Sequence, residues 1–208
     1  MARTYGPLFS MDASGTIGNA ITFSKWKGRN YVRNRVIPHN PKSAGQTAIR
    51  AMFGFLAQAW AAILTADKAT WDDEAGYDAI SDFNAYQRKN QKRYRDFKAP
   101  SQANPAAEVG TPSVTPTPSA AAGERSITVT QTVTTANDGW AIAFFRSPTG
   151  AFNASWDNLV AVKPISGTDD VLFIDSPLEV GTYYYSTRSI TVDGVWGTET
   201  AECTAEIT

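Results

Sequence analysis

Ser126-Ile-Thr-Val-Thr-Gln-Thr-Val133 alternates apolar and polar residues, the period-two pattern of a strand with one buried face. The rhythm continues outward from it. Gly139-Trp-Ala-Ile-Ala-Phe-Phe-Arg146, Leu159-Val-Ala-Val-Lys163, Val171-Leu-Phe-Ile174, Thr182 to Val192 and Thr200 to Ile207 are further strand-like runs with Gly, Asp, Asn and Pro between them. Six or seven short strands at this spacing predict an antiparallel β-sandwich over residues 111–208.

Upstream the composition changes. Pro100, Pro105, Pro112, Pro116 and Pro118 fall among Ala, Ser, Thr and Gly, which predicts an extended spacer over 99–110. The later stretch, Thr111 to Pro118, reads either as spacer or as an edge strand, where proline is tolerated. Charge changes at the same place: residues 1–98 carry fifteen Lys and Arg against eight Asp and Glu, and residues 99–208 carry four against twelve. Two modules with different tasks are expected, the first basic and the second acidic.

In the first module, residues 1–16 read as an irregular arm. Ile17 to Trp26 and Tyr31 to Ile37 read as a β-hairpin turned by Lys27-Gly28-Arg29-Asn30. Asn40-Pro41 has the form of a helix start, an amide cap followed by proline. Ile49, Met52, Phe53, Leu56, Trp60, Ile63 and Leu64 then recur at helical spacing. Two shorter helices are expected, one opened at Thr65 and carrying Trp71, Ala75 and Ile80, the other capped by Ser81-Asp82 and carrying Phe83, Tyr86, Asn90 and Tyr94. The predicted fold class is α+β: a hairpin with a three-helix cluster over 1–98, and a sandwich. So small a first module buries little surface by itself.

The totals bound the function. Apolar residues make up 42% and charged residues 19% of 208, a globular composition. The amino terminus lacks the apolar core of a secretory signal. The longest uncharged run, Ala51 to Ala66, is shorter than the roughly 20 residues a bilayer requires, so no membrane insertion is expected. One histidine (His39, in a Pro-His-Asn-Pro turn) and one cysteine (Cys203, in the last strand) cannot assemble a zinc site or a nucleophile–base pair across two modules. Asp72-Asp73-Glu74 suits the first turn of a helix, and Asp169-Asp170 a hairpin loop. Neither shows the alternating ligands of a calcium loop, and no two carboxylates are paired as a glycan hydrolase requires. No catalytic residue, metal or cofactor is expected.

One constellation stands out: Lys25, Trp26, Lys27, Arg29, Tyr31, Arg33 and Arg35, cations interleaved with aromatics on the hairpin. Such a face serves to dock on an acidic protein surface, to hold single-stranded nucleic acid by phosphate attraction and stacking, or simply to be solvated. The acidic second half argues against a free nucleic-acid binder. In that second half Trp140 lies within a strand and reads as core. Trp156 and Trp196 fall in loops and are the candidate outer contacts.

Several segments also carry resemblances. Ser14-Gly15-x-x-Gly18-Asn19, Ser24-x-Trp26-Lys27-Gly28-Arg29-x-Tyr31-Val32-Arg33 and Pro38-x-Asn40-Pro41-x-Ser43-x-x-Gln46 resemble an uncharacterised phage and prophage family. Arg50-x-x-Phe53, Trp60, Leu64-Thr65, Trp71 and Phe83-Asn84-x-Tyr86 extend the likeness over about residues 13–97. It implies a phage-encoded, virion-associated protein, assembled in the host cytoplasm, and it brings no catalytic residue. The little surface that the first module buries is the separate ground for expecting it docked on capsid or tail proteins or on copies of itself. Leu178-Glu-Val-Gly181-Thr182-Tyr-Tyr-Tyr185 and Val192-Asp-Gly194-Val-Trp-Gly197 resemble fibronectin type III or immunoglobulin-like modules. That likeness implies a corner-buttressing tyrosine, Tyr183 or Tyr184. Such modules are generic scaffolds, so it says little about a ligand, and contact with a host surface is expected only from the virion reading, in which this module is displayed.

Overall fold

The computed structural model describes residues 3–4, 13–37, 40, 42–112, 116–133, 139–167 and 169–208. It is a mixed α+β structure with three antiparallel sheets, and the chain divides into two compact units, Met1–Pro41 and Lys42–Thr208.

The first unit is a meander of β1 (Arg3–Thr4), β2 (Ala13–Ile17), β3 (Ile21–Trp26) and β4 (Arg29–Asn34), in that order across the sheet. The expected hairpin is present, with two corrections. Part of the expected arm is strand, because Ala13–Ile17 pairs with β3. The run from Ile17 to Trp26 is also interrupted at Gly18-Asn19, whose φ angles of 54° and 58° turn the chain, with the Ala20 N–H donating to the Ile17 carbonyl at 3.0 Å. Gly and Asn are the residues that tolerate that conformation. Between β3 and β4 the turn is only two residues long. Lys27 and Gly28 both have positive φ, so Trp26 pairs with Arg29, as a type I′ turn requires.

The second unit opens with α1 (Ala44–Ala59), a 3-10 turn at Trp60–Ala62, α2 (Thr65–Ala69), α3 (Asp72–Asp78) and α4 (Asp82–Arg95). The expected helix start at Asn40-Pro41 is displaced to Ser43-Ala44. Pro41 lies outside the described residues, and Lys42 has φ 48°, a left-handed conformation from which a helix cannot propagate. Ser81 does cap α4, accepting from the Asn84 N–H at 3.3 Å. The α1 stripe is rotated from the expected one: Ala48, Met52, Phe55 and Leu56 are buried, while Phe53 and Leu64 are exposed.

Seven strands follow: β5 (Ser119–Gly123), β6 (Ser126–Gln131), β7 (Gly139–Ser147), β8 (Leu159–Pro164), β9 (Val171–Asp175), β10 (Gly181–Thr191) and β11 (Cys203–Ile207). They form sheets ordered β11-β10-β7-β8 and β5-β6-β9. Strand pairing starts after the last of the clustered prolines, so residues 116–118 precede the edge strand instead of forming it. Ile127 and Val129 from one sheet meet Ile142, Phe144, Tyr185 and Ile207 from the other in a shared core. On the opposite face of β7, Ala141, Ala143 and Phe145 join Leu159, Val162 and Ile190 in a second core with Met52, Phe55, Leu56, Trp71 and Tyr86 of the helical segment. The sandwich therefore has a third, helical layer, and β7 is buried on both faces.

That layer relocates the expected boundary, because the helices and the sandwich share a core. The predicted spacer 99–110 is a hydrogen-bonded strap. Asn90 donates its side-chain amide to the Ser101 carbonyl (3.0 Å) and accepts from the Ser101 N–H (2.8 Å). Trp71 Nε1 donates to Gln102 O at 2.8 Å, and Arg93 Nε donates to Ala99 O at 2.9 Å. The strap is tied to the β10–β11 loop by Gln102 N–H to Val192 O (2.9 Å) and Glu108 N–H to Asp193 O (3.0 Å). Ala99 and Ser101 are buried; small side chains let the backbone approach closely, which composition alone reads as solvated spacer.

Candidate functional site

Strand alternation sorts the basic and aromatic residues of the first unit. In the β3–β4 register Trp26 pairs with Arg29, Ser24 with Tyr31 and Thr22 with Arg33. Trp26, Arg29, Tyr31 and Arg33 therefore share one face of the sheet. The Arg33 guanidinium lies 6.0 Å from the Tyr31 ring and the Lys27 ammonium 4.8 Å from the Trp26 ring, within cation–π range. Lys25 does not join them; it pairs with Asn30 on the opposite face. Arg35 lies beyond the strand, where its backbone N–H donates to Ala20 O (2.7 Å) and its side chain to Asn19 Oδ1. All six residues of β4 are exposed, and β4 is a terminal strand of the sheet. The reverse face carries Ile17, Ile21, Phe23 and Val32, of which only Phe23 is buried.

A second site, in the other unit, gathers residues no local pattern connects. The loop between β7 and β8 is held by side-chain oxygens, two carboxylates and one amide, that accept its backbone N–H groups. Glu202 takes those of Ala151 (3.0 Å) and Phe152 (2.8 Å), Glu199 takes that of Ala154 (2.9 Å), and Asn158 takes that of Ser155 (2.9 Å). The Tyr94 hydroxyl donates to the Trp156 carbonyl. Trp156 is thereby set against the start of α1, where a Cβ on Gly45 would lie 3.2 Å from its ring, a tight contact that glycine relieves. The indole remains 41% exposed. It walls a groove of about 610 Å³ with Gly45, Gln46, Ile49, Arg50 and Arg95, a lining with no acidic residue among the described residues.

The other expected contact, Trp196, is turned inward, which corrects its assignment as an outer residue. It stacks on Phe97 at 5.6 Å, meets Phe145 edge-on at 6.2 Å, and donates its indole N–H to Phe97 O at 3.1 Å. The Arg188 guanidinium lies 5.4 Å from its ring, and burial lowers the pKa of that guanidinium. Trp140 packs on Phe55 at 4.9 Å. Tyr183 donates its hydroxyl to Glu179 O at 3.1 Å, the upstream backbone bond expected of a corner tyrosine. Tyr185 donates instead to Asp175 Oδ2 (2.9 Å), which also accepts from Arg146 (2.8 Å).

Several other titratable groups hold structure together. Glu74 accepts from Lys89 at 2.7 Å, and that bond holds its carboxyl below the usual range. Arg88 bonds Glu74 and Asp78. Cys203 is half-buried, and burial pushes its thiol up to about 11. His39 lies outside the described residues. Among the described residues, no three His, Cys, Asp or Glu are grouped to hold a metal ion, and no single helix is long and apolar enough to cross a membrane.

No protein-family profile and no curated protein matches the chain. Among solved structures it is similar to a β-1,2-glucanase from Parabacteroides distasonis at 18% identity and TM-score 0.38, over 49% of this chain and 14% of that one. It is similar to the spore cortex lytic enzyme SleM of Clostridium perfringens at 15% identity and TM-score 0.34, over 46% of this chain and 28% of that one. A PKD domain of an M14-like peptidase from Thermoplasmatales archaeon SCGC AB-540-F20 is similar at 14% identity and TM-score 0.31, over 48% of this chain and 98% of the domain. The chain thus spans under a third of the length of both enzymes.

Proposed function

We propose that this chain is a bacteriophage virion structural protein of the accessory type, in which the first unit docks on capsid or tail proteins and the second is displayed. The observation that carries this reading is the state of the 41-residue unit. It is a small sheet with an exposed terminal strand, a cationic-aromatic face and a half-covered apolar reverse face. A unit of about 40 residues buries too little surface to be well stabilised by itself, and an exposed edge strand is a template for pairing with another chain. Strand addition along β4, with Trp26, Tyr31, Arg29 and Arg33 as anchors, is the corresponding mode of attachment. Copies on a symmetric particle multiply a modest contact by avidity. The phage-family resemblance supports the reading for residues 13–97, and the seven-stranded sandwich suits an immunoglobulin-like displayed module. Quantitative mass spectrometry of purified particles tests it: the protein is expected at a fixed copy number, and its absence refutes the reading.

The shared face of Trp26, Arg29, Tyr31 and Arg33 also favours a second reading, single-stranded nucleic-acid binding. That reading requires binding to single-stranded DNA that falls steeply with salt and weakens in Arg33→Ala. No binding at low salt removes it.

A further inference from the structure

The Trp156 groove is used neither by the core nor by the docking face. Its lining combines Trp156 with Ile49, Gln46 and two arginines, Arg50 and Arg95, and among the described residues it includes no Asp or Glu. Its volume of about 610 Å³ lies within the span of ligand clefts, roughly 300–1,000 Å³. The wall is prearranged, since the loop that carries Trp156 has four backbone N–H groups held by Glu199, Glu202 and Asn158. Prearrangement lowers the ordering cost of binding.

We propose that this groove binds an acidic sugar residue of a polysaccharide. The apolar C–H face of a pyranose ring packs on the half-exposed indole. The sugar carboxylate takes the guanidinium of Arg95 with Arg50 alongside, and Gln46 supplies an amide to a ring hydroxyl. Guanidinium recognises carboxylate by paired, charge-assisted hydrogen bonds. A long polyanion fits the surroundings less well. Residues 42–208 carry thirteen Lys and Arg against nineteen Asp and Glu, so nucleic acid extending past the groove meets a repulsive field, whereas a saccharide with spaced carboxylates places its charge only at the arginines. The assignment deepens the reading of the second unit as the displayed part. It is tested separately, because purified protein binds or fails to bind sugar wherever it sits in a particle.

Purified full-length protein is titrated with a hyaluronan tetrasaccharide, a neutral N-acetylglucosamine tetramer, an oligo-dT and a short poly-glutamate, by calorimetry and by tryptophan fluorescence. The acidic tetrasaccharide is expected to bind and to perturb Trp156 emission, with the neutral one at least about tenfold weaker. Arg95→Ala is expected to lose about tenfold, and Trp156→Ala to abolish binding while the melting temperature stays near that of the wild type. Trp156→Phe, which keeps a smaller ring, retains part of the affinity. No binding at millimolar tetrasaccharide, binding unchanged by both Arg95→Ala and Trp156→Ala, or tighter binding of oligo-dT or poly-glutamate overturns the assignment.

Discussion

Replacing Asn90 by alanine tests whether residues 99–110 are a strap or a spacer. The Asn90 side chain is fully buried and bonds both the N–H and the C=O of Ser101, itself buried. Alanine leaves those two main-chain groups without partners, at about 1–3 kcal/mol each. A net loss of about 3 kcal/mol is expected, allowing for partial relaxation. For a unit of this size each kcal/mol moves the melting temperature by about 2–4 °C, so the shift is about 6–12 °C. Ser101→Ala is the internal control: it removes only the hydroxyl's bonds to Ala103 O and Val192 O and is expected to cost about 1 kcal/mol. Urea and thermal unfolding of the full chain, followed by Trp71 and Trp196 fluorescence and by near-ultraviolet circular dichroism, measure both. Were 99–110 a solvated spacer, Asn90→Ala would fall within about 0.5 kcal/mol of wild type, and helix and sandwich probes would melt apart. The first result refutes the strap, and the second refutes the shared core.

Trp196→Ala is expected to destabilise the protein by about 3 kcal/mol in the same assay, because it empties the stack with Phe97 and Phe145; an exposed contact residue would cost less than about 0.5 kcal/mol. The Arg93 bond holds the Glu108 carboxyl below its ordinary value of 4.5, so its stabilisation is present above that value and disappears as pH falls through the lower folded one. Acid titration of wild type against Glu108→Gln by circular dichroism should show a shallower loss in the variant, and identical curves would exclude the ion pair as a tie of the strap. Since burial pushes the Cys203 thiol up to about 11, little thiolate forms at pH 8 and alkylation should be much slower in native than in urea-unfolded protein. Equal rates would show that the β11 edge opens readily.

The strands were readable because their signal is local. The alternation from Ser126 to Gln131 maps onto buried Ile127, Val129 and Gln131, and the Ser81 cap needed only its own turn. Two further features were also written in the sequence. Trp140 to Phe145 is an unbroken apolar run, the pattern of a strand covered on both faces, and it announces the helical layer that a two-module reading misses. Gly18-Asn19 is a turn dipeptide inside what reads as one strand. The strap and the groove had no such signal. Ser101 is fixed by Asn90, outside any single turn, and by Val192, while Trp156 meets Gly45 and shares a groove with Arg95. The Val192, Gly45 and Arg95 partners lie far from Ser101 and Trp156 in sequence. The tightness of Gly45 against the indole belongs to tertiary packing, so composition shows only a glycine near a helix start.

Placing the division at Pro41 instead of residue 99 changes what the charge means. Much of the basic excess of residues 42–98 has internal partners: Arg88 and Lys89 face Glu74 and Asp78, and Arg93 and Lys98 face Glu108. Those cations hold α3 to α4 and the strap to α4. In residues 1–41, by contrast, six Lys and Arg stand against Asp12 alone, and the sheet alternation puts Arg29 and Arg33 beside Trp26 and Tyr31 on one face. A net positive charge of this size on so small a unit directs attraction outward. The docking proposed for that face is therefore expected to weaken as salt screens it, with a Debye length of about 8 Å at physiological ionic strength. Docking that survives high salt but fails in Ile21→Asp or Val32→Asp would place the contact on the apolar reverse face, and the arginines would then be solvated bystanders.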